Sequence, residues 1–126
     1  MLLPLSSPRA WEPATFPEEL RGERPLPGQP LRAAGKVEAR LGSPIAVGFA
    51  LLACNPDEPF AHAFNVRDGR AIDLALAEHE VIAYWGYVPS PSQLRVDRLC
   101  LAAEAPPPKA FRDLPRRPVS RAASCP

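Results

Sequence analysis

Proline is the residue that most restricts how this chain can fold. The 126-residue sequence contains 18 prolines, and all but five of them lie within residues 1–35 and 106–126. Proline lacks a backbone N–H donor and fixes φ, so it suits linkers and covering segments and not sheet interiors. The distribution predicts a Pro-rich N-terminal segment over residues 1–29, a folded core over 30–105 and a Pro-rich tail over 106–126.

Charge and hydropathy exclude several classes of protein. The net charge of +1 argues against a dedicated nucleic-acid or membrane-surface binder. The longest apolar run, Ile45–Cys54, has about half the length that a bilayer span needs, and Met1–Leu5 lacks the basic start of a signal peptide. We therefore expect a cytoplasmic protein with free thiols and no membrane partner. The three cysteines match no zinc spacing, and we expect no metal and no cofactor.

The tail over residues 106–126 is basic, with five Lys and Arg residues and one Asp. We expect it to be a solvated, flexible terminus that aids solubility. The alternative is an arm that contacts an acidic partner or nucleic acid. The near-neutral overall charge makes nucleic acid the least expected partner.

Two helices are predicted ahead of a group of strands. Thr15 and Glu18 fit a capping box with Pro17 in the first turn, so a short helix is expected through residues 19–21. Apolar residues spaced by three and four predict a second helix over Leu31–Leu41, which Gly42 ends. The sequence thus predicts an α+β domain in which N-terminal helices pack on a mostly antiparallel sheet.

The sheet is expected to begin with a buried strand over Ile45–Cys54. A loop with turn-forming residues follows at Asn55–Pro59. A run rich in β-branched and aromatic residues predicts another strand over Val81–Val88. Residues 92–105 favour a helix, with a strand as the alternative.

A hairpin centred on Asp68 and Gly69 is the clearest local signal. The pair separates two apolar runs, residues 62–67 and 70–76, and an Asp-Gly pair at such a position predicts a two-residue turn. The turn sets the register. Arg67 lies opposite Arg70, Val66 lies opposite Ala71, and the pairing continues in this way along the two strands.

This register predicts that His62 and Asp73 are diagonal neighbours on one face of the sheet. A carboxylate beside an imidazole fixes the tautomer of the ring and stabilises its protonated form, which is what general base catalysis needs. The alternative is a His–Asp pair that has no chemical role.

Cys54 is the cysteine best placed to be a nucleophile. It ends the strand before the loop that leads to His62, and a nearby imidazolium would lower the pKa of its thiol. The alternative is that Cys54 is a small buried core residue. Cys100 is expected in the core, and Cys125 lies too close to the chain end to be held in place.

The segment from Phe60 to Asp73, together with Tyr84-Trp85-Gly86, resembles the second half of papain-like and transglutaminase-like cysteine hydrolases. Such domains carry a histidine that opens a strand, a tight turn, and a strand with Asp or Asn. The resemblance implies catalytic roles for His62 and Asp73. In that family the nucleophilic cysteine begins a helix upstream of the sheet, and no cysteine precedes Cys54 here.

Two functions follow from these residues. The first is a thiol-dependent hydrolase or acyl transferase, in which Cys54 attacks a carbonyl, His62 is the base and Asp73 orients it. The second is a catalytically degenerate domain that binds a peptide or protein partner, with Tyr84, Trp85 and Tyr87 as contact residues. Core packing is the alternative role of these three aromatic residues.

Overall fold

The structure of this protein is a computed structural model. Its main feature is a closed β-sheet. The structure describes residues 8–26, 28–90 and 111. In chain order the elements are β1 (Arg9–Pro13), a single 3-10 turn (Glu18–Leu20), α1 (Pro30–Leu41), β2 (Ile45–Leu52), β3 (Asn55–Arg67), β4 (Arg70–Ile72) and β5 (Val81–Tyr87).

The five strands are arranged in the order β1-β4-β3-β2-β5 and form a closed sheet, because β5 also pairs with β1. The pairing of β1 with β4 is parallel, and the other four pairings are antiparallel. The sheet is therefore mixed and has no open edge between its first and last strands.

The expected fold class, with N-terminal helices packed on the sheet, is wrong. Within residues 8–26 and 28–90 the structure has one α-helix, α1, and the short helix expected at residues 19–21 is only the 3-10 turn. Residues 9–13 instead form β1, which supplies the strand that closes the sheet. Pro8 and Pro13 lie at the two ends of this stretch. The residues between them keep their backbone N–H groups, so the stretch can pair with β5.

Strand β1 is held by Trp11, whose side chain is buried in the interior of the sheet. Its indole Nε1–H donates a hydrogen bond to the Gly86 carbonyl oxygen at 3.1 Å. The guanidinium of Arg9 lies 3.8 Å from the centre of the Trp11 ring, which is cation–π geometry. The Pro-rich segment thus contributes to the core that we expected to begin at residue 30.

The helix α1 agrees with its prediction. Pro30 occupies its first turn, where the missing N–H costs no hydrogen bond, and Gly42 ends it with a φ of 71°. The buried face of α1 packs on the outer side of the sheet, mainly against β3. Asn65 fixes this contact, because its amide Nδ2 donates to the carbonyl oxygens of Ala34 and Ser43 at 2.9 and 3.0 Å.

The predicted hairpin is confirmed. Asp68 and Gly69 have φ values of 53° and 77°, as a two-residue turn of this type requires. The register also agrees: Arg67 pairs with Arg70, Val66 with Ala71 and Asn65 with Ile72. The second strand is shorter than expected, however, because β4 ends at Ile72 and residues 74–79 form turns and a bend.

The segment Asn55–Pro59, expected to be a loop, is the first part of the 13-residue strand β3. Its prolines are accommodated because this end of β3 pairs only with β2, and the register there is interrupted between Ala50 and Leu52. The strand expected at residues 81–88 is confirmed as β5. The helix expected at residues 92–105 lies outside the described residues.

Strands β2 and β5 approach each other most closely at two glycines. Gly48 pairs with Gly86, and a Cβ atom added to Gly48 would lie 1.9 Å from the Trp85 carbonyl oxygen. A Cβ atom added to Gly86 would lie 2.3 Å from the Val47 carbonyl oxygen. Only glycine allows this approach, which lets the sheet curve tightly enough to close.

No helix in the described part of the chain is both long enough and apolar enough to cross a membrane.

Candidate functional site

The structure brings His62 and Asp73 together inside the closed sheet. His62 lies in the middle of β3, and Asp73 directly follows β4. The imidazole Nε2 and the carboxylate Oδ2 are 2.7 Å apart. Both residues are buried, with 3% and 9% of their surfaces exposed. The hairpin register therefore places these two side chains on one face, as predicted, and that face is the interior.

Asp73 receives two further hydrogen bonds. The Tyr84 hydroxyl donates to Oδ2 at 2.8 Å, and the Leu76 backbone N–H donates to Oδ1 at 3.2 Å. An ionised carboxylate can only accept hydrogen bonds, so the bond between Asp73 and His62 is donated by His62 Nε2. The ring nitrogen left for any proton transfer is therefore Nδ1.

The environment of Tyr84 favours its protonated form. Burial raises the pKa of the Tyr84 phenol well above its usual value, and the charge of Asp73 and the hydrogen bond to it act in the same direction. Tyr84 is therefore a donor to Asp73 at neutral pH. We call His62, Asp73 and Tyr84 the buried triad.

Aromatic rings surround the imidazole. Phe60 meets it edge-on with ring centres 5.4 Å apart, and Tyr84 stacks at 6.4 Å. Its partner across the strands is Gly48. These contacts hold the imidazole ring in position.

Cys54 does not join the triad. It lies in the turn between β2 and β3, whereas His62 pairs with Gly48 near the middle of β2. At about 3.3 Å per residue, the chain from Gly48 to Cys54 can span no more than about 20 Å, and Cys54 packs against the edge of the interior cluster. Cys54 is also disulfide-bonded. The expectation of a free thiol is thus wrong for Cys54, and a sulfur held in a disulfide is not a thiolate nucleophile.

The aromatic residues expected to contact a partner are mainly core residues. Tyr84 and Tyr87 are 2% and 4% exposed. Trp85 is half-buried on the outer face of β5, where its ring lies 6.1 Å from that of Phe111. Side chains alternate in direction along a strand, so neighbouring aromatic residues of β5 lie on opposite faces of the sheet.

Two cavities that share lining residues lie close to the triad. The larger, about 930 Å³, is an open groove between the 3-10 turn and the β3–β4 hairpin. We call it the hairpin groove. The smaller, about 220 Å³, is a recess that Asp73 and Tyr84 help to line. The groove and the recess share five lining residues: Ala14, Phe16, Pro17, Ile72 and Ala77.

The arginines of the hairpin groove are engaged in ion pairs. Arg21 pairs with Glu18 at 3.4 Å, Arg67 with Glu19 at 3.0 Å, and Arg70 with Glu12 at 3.6 Å. A backbone hydrogen bond and, after it, the bond from Arg67 lower the pKa of Glu19. These contacts keep the arginine charges matched by carboxylates.

Two acidic residues of the groove have no such partner. Asp68 and Glu78 make no ion pair with any described residue. No group of three or more His, Cys, Asp or Glu side chains within that part of the chain is arranged to hold a metal ion. The groove therefore carries an excess of acidic side chains over basic ones.

Sequence reasoning missed Tyr84 as a partner of Asp73 and missed the recess altogether. The hairpin register identified Asp73, but the bond from Tyr84 depends on the position of β5 in the closed sheet, between β2 and β1. Phe16 was also missed, although an exposed Phe beside Pro17 in a turn is a signal that can be found in the sequence.

No family model, curated protein or solved structure matches this chain. The resemblance of residues 60–86 to papain-like hydrolases therefore rests on that motif alone.

Proposed function

We propose that this protein is a non-catalytic module that binds a peptide or a protein segment in the hairpin groove. The observation that carries the proposal is the closed environment of the buried triad. His62 donates to Asp73, aromatic rings pack on the imidazole, and the candidate nucleophile Cys54 lies at a distant turn in a disulfide. A thiol hydrolase needs a thiolate against the imidazole, and these contacts supply none.

The hairpin groove supports a binding role. It is open to solvent, and its volume of about 930 Å³ is at the upper end of those typical of ligand sites. Phe16, the one exposed large hydrophobic side chain of the described residues at 41%, lies where the groove meets the recess. An exposed aromatic ring rimmed by polar residues is a common anchor for a partner.

Peptide recognition also agrees with the construction of the groove walls. The 3-10 turn forms one side and the β3–β4 hairpin forms the other, and both are attached to the closed sheet by Leu20 and Ile72, which are buried in the same cluster. A groove between two supported elements is largely preformed, so binding costs little ordering of the protein.

A random peptide library displayed on phage tests this function. We expect a family of peptides whose binding to the whole protein is weakened at least tenfold by Phe16→Ser. The control is Glu58→Gln in the exposed first part of β3, which should leave binding unchanged. Selected peptides that bind wild type and Phe16→Ser equally would contradict the hairpin groove as the site, and so would a library that yields no binder.

A further inference from the structure

We propose that the recess at the end of the hairpin groove binds the cationic side chain of a Lys or Arg residue in the bound peptide, with its charged head paired to Asp73. This assignment rests on the proposed function and adds the chemical class of the ligand. Its starting point is the position of Asp73, which is 9% exposed and lines the recess, a cavity that shares five lining residues with the groove.

The walls of the recess suit the apolar stem of such a side chain. Most residues that line the recess are apolar, among them Pro13, Leu76 and Val81, and His79 adds one polar side chain. Lys and Arg bury their methylene stems against apolar surface while the charged head seeks a polar partner. The shape and the lining thus match a long side chain that is apolar along its length and polar at its tip.

Asp73 has capacity for one more donor. An ionised carboxylate offers about four acceptor positions, and three are taken, by His62 Nε2, the Tyr84 hydroxyl and the Leu76 N–H. The donors from Tyr84 and Leu76 carry no formal charge. A cation in the recess would therefore meet a buried carboxylate in surroundings of low dielectric, where the attraction is stronger than in water.

The charges along the groove also favour the binding of a cation. Its three arginines are already paired with Glu18, Glu19 and Glu12, so they do not repel a cation strongly. Asp68 and Glu78 have no ion pair among the described residues, and Glu78 is exposed in the turn that borders the recess. An excess of negative charge steers basic peptides toward the site.

The test compares two small probes of equal shape. Nα-acetyl-lysine amide and Nα-acetyl-norleucine amide differ only in the terminal ammonium group, and their binding to the whole protein is followed by amide shifts of residues 71–77 in NMR spectra. We expect saturable binding of the lysine probe and at least tenfold weaker binding of the norleucine probe. Equal binding of the two probes, or no saturable shift with the lysine probe, would overturn the assignment.

Two variants locate the contact. Asp73→Asn should remove the preference for the lysine probe. Because that change touches the core, Ala77→Phe provides a second test: Ala77 is exposed at the mouth shared by groove and recess, so a ring there should block the recess while leaving the fold intact. Undiminished binding of the lysine probe to folded Ala77→Phe would place the probe elsewhere and overturn the assignment.

The peptide library separates this inference from the function on which it rests. Library peptides that bind the groove without enrichment in Lys or Arg would overturn the cationic recess and leave the peptide-binding function standing. A lysine probe that saturates the recess, in a protein for which the library yields no binder, would support the recess and contradict the peptide-binding function.

Discussion

Tyr84 and His62 donate hydrogen bonds to the same oxygen of Asp73, at 2.8 and 2.7 Å. The strand β5 carries Tyr84 and the strand β3 carries His62, while Asp73 follows β4. One carboxylate thus links three strands across the interior of a closed sheet. The arrangement stabilises the fold because each donor and acceptor would otherwise be buried without a partner.

Removal of the carboxylate should cost much more than removal of an exposed charge. Asp73→Ala leaves His62 and Tyr84 without their acceptor in the interior, and each buried donor left without a partner costs about 1–3 kcal/mol. Urea unfolding followed by tryptophan fluorescence measures the loss. Glu18→Gln, which breaks the exposed pair with Arg21, is the matched control and should leave the free energy of unfolding unchanged within error. Equal effects of the two changes would contradict a structural role for the triad.

Cys54 should behave as a structural sulfur and not as a reactive thiol. Because it is disulfide-bonded, iodoacetamide should not modify it in the native protein without a reductant. After reduction, its alkylation rate should be the same in wild type and in His62→Ala, since Cys54 lies in the turn after β2 whereas His62 pairs with Gly48 near the middle of that strand. Peptide mass spectrometry reads both results. A tenfold slower alkylation in His62→Ala would instead revive the thiol hydrolase hypothesis.

The close approach of β2 and β5 should make Gly86 intolerant of a side chain. A Cβ atom at Gly86 would lie 2.3 Å from the Val47 carbonyl oxygen, which is backbone and cannot move aside. We expect Gly86→Ala to destabilise the protein by at least about 2 kcal/mol.

Gly35 provides the matched control for that substitution. It lies within α1, and a Cβ atom there would meet nothing within 4 Å. Gly35→Ala should therefore stabilise the protein, by up to about 1 kcal/mol, through the higher helix propensity of alanine. Thermal unfolding of both variants shows the opposite signs. A neutral Gly86→Ala would mean that the two strands are farther apart than described.

Local signals predicted the parts of the fold that depend on neighbouring residues. The Asp68-Gly69 turn fixed its own register, and from it the shared face of His62 and Asp73. Gly42 marked the end of α1 for a similarly local reason, since it takes the left-handed conformation there.

The closed sheet could not be predicted in this way. It depends on β1 pairing with β5 and β4, which are more than 50 residues away along the chain. The high proline content of residues 1–29 also concealed the run from Arg9 to Glu12. These four residues contain no proline and can pair with other strands, but an average over the whole segment does not show this. The recess depends on the same closure, and so does the bond from Tyr84 to Asp73.

Alkaline pH should unfold the protein through Tyr84. Burial, the Asp73 charge and the hydrogen bond to Asp73 raise the pKa of Tyr84 in the folded state, whereas the unfolded phenol ionises near pH 10. The unfolded state therefore releases its proton first. The contribution of Tyr84 to stability is fully present below about pH 10 and is lost as the pH rises toward the folded-state pKa.

The two tyrosines of the chain make this titration simple to assign. In Tyr87→Phe, the phenolate absorbance near 295 nm reports Tyr84 alone, and we expect it to rise only together with the loss of the folded circular dichroism signal. Tyr84→Phe should flatten the decline in melting temperature above pH 10. It should also lower stability at pH 7 by about 1 kcal/mol, because one hydrogen bond to Asp73 is lost. A phenolate signal that develops at pH 10 in the still-folded Tyr87→Phe protein would show that Tyr84 is accessible and is not part of a buried triad.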